Sequence, residues 1–475
     1  MEGKSRDVAI EIERLERQWT EMLQNVKLPE MNDIYMQSIY RVPQHIRENN
    51  SKAYTPLIVS IGPYHYNSFG AMEELKLKYL MGFLNRTRLP MGEFAVKIKQ
   101  LEKTIRSCYA DTIKCNDDDF LKMILIDAGF IIELFPRCHE YSYWVEKDPL
   151  LLKPWMLDYI QDDLLLLENQ LPFFVLEQLY NLTGMNEKLL DITFNYFKKE
   201  SLRIMCPRES PEHFTDFLRS SIISSSKLGL ENLEKEKVKH VYSAIQLMEA
   251  GLHFQVNPNK SFLDLTYPKH GVLSMPILTI HDSTEVLFRN MMAYEHCHHS
   301  STDIITQYVA FLDFLINTEK DVNVLVEKKI IVNLMGDANA VVTMINNLSS
   351  NMAMPYFNSH YFSICNNLNH FYENPLNKYK AIFIHEYFNT PWKIASTVKI
   401  AATELLADEL TNTSFEYSQR MTTSFECFTK EDSLPVTSSD TPRMTALQGF
   451  ADESFLSFNS HTEFSKSSEV LSTKE

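Results

Sequence analysis

A chain of 475 residues with 44% hydrophobic and 12% aromatic residues has a globular composition and the length for a large core. Only 12 glycines and 19 prolines exclude a collagen-like or linker-dominated chain. A formal net charge of −16 opposes binding to nucleic acid and to anionic membrane surfaces, so no nucleic-acid partner is expected.

Seven cysteines (Cys108, Cys115, Cys138, Cys206, Cys297, Cys365 and Cys427) are dispersed without CxxC spacing, which reads as a reduced, intracellular set. The N-terminus, MEGKSRDVAIEIERLERQ, is charged and lacks an apolar h-region, so no secretory signal is expected. Sequons at Asn85 and Asn181 are chance matches on this reading, the second beside a segment expected to be buried.

Residues 7–26 form a helix candidate. Val8, Ile12, Leu15, Trp19, Met22 and Val26 recur at spacings of four and three, an apolar seam. Two readings stand: a helix docked on its own domain, or a partner-binding helix through Val8, Ile12, Leu15, Trp19 and Met22. Residues 57–61 are a β-like run closed by Gly62 and Pro63. His65, between Tyr64 and Tyr66, reads as a histidine packed in an aromatic turn and as a weaker site candidate. Residues 72–109 are expected to be helical with a break near Pro90. Asp117, Asp118 and Asp119 precede FLKMILIDAGFIIELF (120–135) and suit an N-cap at the positive end of a helix dipole. Asp127 and Glu133, inside that apolar run, lie about 120° apart on a helix and do not form a facing acid pair. Structural hydrogen bonding is expected of both.

The stretch DDLLLLENQLPFFVLEQLY (162–180) is apolar on nearly every side and reads as a central buried helix, with Asp162 and Asp163 as capping candidates. Pro172 is expected to kink or restart it, and the neighbouring amides could serve the backbone carbonyl that proline frees. Buried Glu168, Asn169 and Gln170 need specific partners, since each unpaired polar group costs about 1–3 kcal/mol.

A helix is expected over 243–254 with Gly251 near its end. A hairpin is expected over 261–281 around Pro268, Lys269, His270 and Gly271. Helices follow from Asp282, Ser283 or Thr284 to Tyr294, and over 308–316, 321–335 and 338–348, and the last ordered part is expected over 378–410. From about Thr411 serine and threonine rise and apolar periodicity fades, so a disordered tail is expected. The expected class is mainly α: a large single helical domain (34–410) with a small β element, an N-terminal amphipathic helix (1–33) and the disordered tail (411–475).

Phosphate-loop, dinucleotide, zinc-protease, nucleophile-elbow and EF-hand motifs are missing. Four adjacent residues, His296, Cys297, His298 and His299, could all face one ion only in a tight loop, so imidazoles at a helix end are the preferred reading over a metal site or a nucleophile pair. No catalytic residue, cofactor or metal is expected.

The segments IYRVP (39–43), YTPLIVSIGPYHY (54–66), IRSCY (105–109), FLKMILIDAGFIIELF, DDLLLLENQLPFFVLEQLY, SAIQLMEAGLHF (243–254), GVLSMPILTIHDSTEVLFRNMMAYEHC (271–297) and YFNTPWKIAS (387–396) resemble, in order, the signatures of a plant family known as "domain of unknown function 247", or UPF 0481. The resemblance covers roughly residues 34–400. It implies a plant protein with a mostly helical fold and no established activity. Because some grass members are associated with self-incompatibility, it also implies protein recognition rather than catalysis. The alternative is an uncharacterised enzyme, a hydrolase for instance, with a site near Glu168, Asn169 and Gln170.

The family commonly ends in a transmembrane helix. Here VKIAATELLADEL (398–410) carries Lys399, Glu404, Asp408 and Glu409, each costing roughly 2.5–3.5 kcal/mol near a bilayer centre. No membrane span is expected, and the chain reads as cytoplasmic. Membrane association, as is common in the family, is the alternative.

Overall fold

The computed structural model describes residues 2–24, 36–66, 70–198, 204–228, 235–258, 261–299, 301–352 and 356–387. The chain divides into two units, Met1–Lys378 and Tyr379–Glu475. The described residues of the second, 379–387, are helical. The rest of the ordered part expected over 378–410 and the tail expected to be disordered lie outside the described residues. No helix among the described residues is long and apolar enough to cross a membrane.

The first unit is mainly helical. Helix α1 (Glu2–Gln24) carries the N-terminal seam from Val8 to Met22; Val26 lies outside the described residues. Helices α2 (Gly70–Thr87) and α3 (Met91–Ser107) are separated by the break at Pro90, which is the N-cap of α3. Helix α4 (Asp117–His139) is the centre of the N-terminal half, buried continuously from Met123 to Phe135. Asn116, one residue before the expected acidic caps, is its N-cap and accepts from the Asp119 backbone at 2.8 Å. The three aspartates occupy the first turn, where they face the positive end of the dipole. Helix α4 packs on α2, α3, α6 (Phe173–Leu182) and α7 (Leu189–Phe197). Gly129 permits a close approach to α2: a Cβ there would meet Leu80 Cδ1 at 2.5 Å.

The buried helix expected over 162–180 is two helices and a turn. Helix α5 (Pro154–Asp163) ends at Asp163, and α6 begins after Pro172, its N-cap. Residues 164–171 form a non-helical turn that is buried throughout. Pro172 thus restarts the chain, as a residue with φ −58° and no N–H suits a helix entrance. The unbroken leucines are apolar on every side because the turn is enclosed, a burial pattern that periodicity cannot tell from a buried helix.

The second half of the unit places α10 (Thr284–His298) against α8 (Phe214–Ser225), α11 (Ile304–Leu315) and α13 (Ala338–Ser349). Between them lie the short α9 (Ala244–Glu249) and α12 (Glu319–Glu327). Strand pairs are small. Strand β1 (Lys235–Glu236) pairs antiparallel with β7 (Phe357–Asn358). The expected hairpin is present: β3 (Thr266–Lys269) and β4 (Val272–Met275) pair antiparallel across His270 and Gly271, with Gly271 at φ +75°. Two parallel pairings lie outside the sequence expectation. Residues His253–Val256, of which His253 and Phe254 fall in the helix expected over 243–254, form β2 alongside β4, because α9 stops at Glu249 and Gly251 turns the chain at φ +98°. Residues Ile331–Asn333, also expected to be helical, form β6 alongside β5 (Leu278–Ile280).

Candidate functional site

The 164–171 turn is the point where the segments of the unit are tied together. Its own amides turn back on it. Gln170 Nε2 donates to the carbonyls of Leu164 and Leu166, both at 2.7 Å, and Gln170 Oε1 accepts from the Phe214 backbone at 2.9 Å, at the start of α8. Asn169 Nδ2 donates to the carbonyls of Asp163 (2.9 Å) and Val59 (3.0 Å), while its Oδ1 accepts from the Ile61 backbone at 2.7 Å. These amides therefore serve the end of α5 and its turn rather than the carbonyl of Glu168. Other elements close the remaining sides. Asn290 of α10 accepts from the Leu167 N–H at 2.9 Å, Thr215 donates to the Leu165 carbonyl at 3.0 Å, and Tyr109 donates to the Gln170 carbonyl at 2.9 Å.

Glu168 faces the N-terminal segment. Its Oε1 accepts from the Val42 N–H at 2.8 Å and from Arg47 Nη1 at 2.6 Å; its Oε2 lies 3.2 Å from His65 Nε2. Burial pushes the carboxyl up, but His65, the Val42 amide and Arg47 outweigh it and hold Glu168 below the ordinary glutamate range. A buried carboxylate with these partners is a tie between chain segments that must stay charged to hold them.

The β-like run at 57–61 is not a strand. Side chains take the place of a neighbouring strand along it. Asp163 accepts from the N–H groups of Leu57 (2.8 Å), Ile58 (2.7 Å) and Val59 (2.9 Å), Asn169 from Ile61, and Asp127 Oδ2 from Gly62 at 2.8 Å. Lys76 donates to the Ser60 carbonyl at 2.9 Å and pairs with Asp127 at 2.5 Å and Glu73 at 2.6 Å. Burial pushes the Lys76 ammonium down, but the Asp127 and Glu73 carboxylates outweigh it and keep it above the ordinary lysine range. Gly62 closes the segment at φ +71°; a Cβ there would stand 2.4 Å from the Gln170 carbonyl oxygen. Asp163 thus caps the 57–59 segment and is the last residue of α5, not an N-cap.

Glu133 belongs to a different network from Asp127. It accepts from Arg86 (2.9 and 3.2 Å) and Arg137 (2.8 Å), and Arg137 continues to Asp148 at 2.8 Å.

A cleft of about 450 Å³ lies nearby, lined by Arg41, Tyr64, Tyr66, Asp111, Lys114 and Cys115 among others; neither the Glu168, Asn169 and Gln170 triplet nor His65 or Asp127 lines it. Arg41 pairs with Asp111 at 3.1 Å and stacks over Tyr64 at 4.3 Å. Sequence reading named the triplet, His65, Asp127, Glu133 and Pro172. It missed Lys76, Arg47, Asn290 and the backbone-capping role of Asp163. Lys76 carries a signal in retrospect: a lysine on the α2 face shared with Met72, Tyr79, Leu80 and Phe83.

Of the histidine run, His298 Nδ1 meets the Tyr40 hydroxyl at 2.9 Å, while Tyr294 stacks on His298 and meets His299 edge-on. Buried His213 donates from Nε2 to the Ser38 carbonyl, 3.0 Å away, accepts at Nδ1 from the Asp216 N–H, and packs on Tyr294. No group of three or more His, Cys, Asp or Glu side chains among the described residues is arranged to hold a metal ion.

Between residues 11 and 23 of α1 the seam is uncovered: Ile12, Trp19 and Met22, with neighbouring Leu23, are each more than half exposed, and Leu15 is half-buried. This differs from a helix docked along that face.

Residues 39–406 match a family described as "Plant protein of unknown function", DUF247. A UPF0481 protein of Arabidopsis thaliana is 30% identical over 402 residues, covering 78% of this chain and 84% of the relative. A putative UPF0481 protein of the same plant is 21% identical over 425 residues, covering 67% and 79%. No solved structure matches. A match over more than half the chain, through the very segments that the buried turn ties together, places this protein in the DUF247 family of plant proteins of unknown function.

Proposed function

We propose that this protein is a non-enzymatic interaction component whose partner docks on α1. One observation carries the reading: the seam of Ile12, Trp19 and Met22 is exposed on a helix long enough to present it as a continuous stripe. Apolar side chains gathered on one helix face in water favour association, and tryptophan and methionine are enriched at interfaces. The polar residues that suggested chemistry support the same reading from the other side. Asn169 and Gln170 spend their hydrogen bonds on backbone groups, and Glu168 joins Val42, Arg47 and His65. They fasten the domain and do not line the neighbouring cleft.

The test is affinity capture from plant tissue with the full chain and with a chain lacking residues 1–30. At least one partner is expected to be retained by the full chain and lost by the shortened one. If every captured protein is retained equally by both, α1 is not the docking element and the reading fails.

A further inference from the structure

We propose that the occupant of the α1 stripe is an amphipathic helix flanked by lysine or arginine, and not a second copy of this chain. The inference rests on the docking role of α1 and adds the chemistry of the partner. The seam has a 4-3-4-3-4 rhythm, so Ile12 and Trp19 occupy one core position of a heptad and Leu15 and Met22 the other. The positions beside such a seam face the partner's flanks. Here they include Glu11 on one side and Glu16 on the other, both exposed.

Pairing with a second copy brings like charges together in both orientations. In a parallel pair Glu11 of one helix meets Glu16 of the other. In the antiparallel pair that sets Ile12 against Met22, the two copies of Glu16 meet. Like charges across such a seam select against the pairing. Lysine or arginine at the partner's flanks turns the same positions into attraction. The formal net charge of −16 adds long-range steering of a basic partner. The cations of α1 that fall in this stretch, Arg14 and Arg17, lie on the side away from the seam and do not neutralise the flanks.

The experiment uses the full chain and two labelled synthetic helical peptides, both with isoleucine and leucine in the core positions, one with lysine and one with glutamate at the flanks. Fluorescence anisotropy measures binding at low and at moderate salt, and circular dichroism checks that each variant stays folded. The lysine peptide is expected to bind saturably and more weakly as salt rises, and the glutamate peptide is expected to bind far less. The double substitution E11K/E16K is expected to weaken the lysine peptide by about tenfold and to strengthen the glutamate peptide, the equivalent of about 1.4 kcal/mol. The W19A variant is expected to weaken both.

Equal binding of both peptides, no binding of either, or no exchange of preference in E11K/E16K overturns the proposal. So does a concentration-dependent dimer of the full chain that W19A dissolves. Loss of a captured plant partner with residues 1–30, together with indifference of that partner to E11K/E16K, overturns the basic-helix inference while leaving the docking role of α1 standing.

Discussion

Asn169 shows most clearly how one side chain can hold several segments. Its amide has two N–H donors and one carbonyl acceptor, and all three are used by backbone atoms of Asp163, Val59 and Ile61. Removing it strips partners from three buried backbone groups that have no route to water. The Asn169→Ala substitution is therefore expected to destabilise the fold by about 3 kcal/mol, from a cost of roughly 1–3 kcal/mol for each buried group left unpaired and partial relaxation of the site. Urea unfolding followed by circular dichroism measures it. A midpoint unchanged from that of the parent chain means that the backbone of 59–61 finds other partners and that Asn169 is not a fastener. An aspartate at the same position keeps the acceptor for Ile61 but loses both donors, and is expected to fare no better because it adds a buried charge.

At the scale of elements, what could be read from sequence and what could not separate along a physical line. The hairpin was legible because Gly271 and its neighbours mark a turn in the local sequence. The break at Pro90 was legible because a proline lacks the N–H that a helix interior uses and suits a helix entrance, where it caps α3. The turn at 164–171 and the side-chain-served segment at 57–62 were not. Apolar runs announce burial, and they are silent on whether a buried backbone is satisfied by a helix, a strand or the side chains of distant residues. The partners of 57–62 come from Asp127, Asp163, Asn169 and Lys76, on three other segments. The ends of α8 and α10 carry a second consequence, in their response to pH. Burial pushes His213 down to about 4; burial first, then Arg219 and His298, push His299 down to about 4 as well, although Asp216 opposes the shift at both. Both folded values lie below the ordinary histidine value of 6.5. The unfolded chain therefore takes up protons that the folded chain refuses, and stability is full above pH 6.5 and is lost as pH falls toward 4. Each group contributes a slope of up to about 1.4 kcal/mol per pH unit in that window. Asp163 acts in the opposite sense: burial outweighs its three backbone N–H donors and pushes it up to about 6, so its protonation favours the fold at low pH. Burial likewise pushes Asp313 up to about 6, in the same sense as Asp163. Between pH 6.5 and 4 the unfolding midpoint is therefore expected to move relative to the parent in His213→Gln, which gains relative stability as pH falls and whose amide can still donate to the Ser38 carbonyl. An equal slope in the parent and the variant means that His213 is not the titrating group.

For the whole molecule, the distribution of burial separates what holds the fold from what the fold presents. The tied turn joins the segments around Val42, Val59, Tyr109 and Phe214 to α10, all of them within the stretch matched by the family. Helix α1 lies before that stretch and keeps Ile12, Trp19, Met22 and Leu23 in water. Buried area removed from water is the main favourable term in folding, and a helix that buries little of its apolar face adds little of it. A chain shortened by residues 1–30 is therefore expected to unfold at a urea concentration and temperature close to those of the full chain, a difference within about 0.5 kcal/mol, as for surface changes generally. Two measurements together make this decisive. Equal unfolding midpoints with loss of partner capture mean that α1 serves recognition and not stability. A fall of several kcal/mol on shortening means that α1 docks on its own domain in solution; the lost partner would then report a damaged fold, and Trp19 fluorescence in the intact chain would be blue-shifted and protected from a polar quencher. The exposed seam leads to the opposite expectation: red-shifted, readily quenched Trp19 emission, observed in a chain whose other three tryptophans are replaced by phenylalanine.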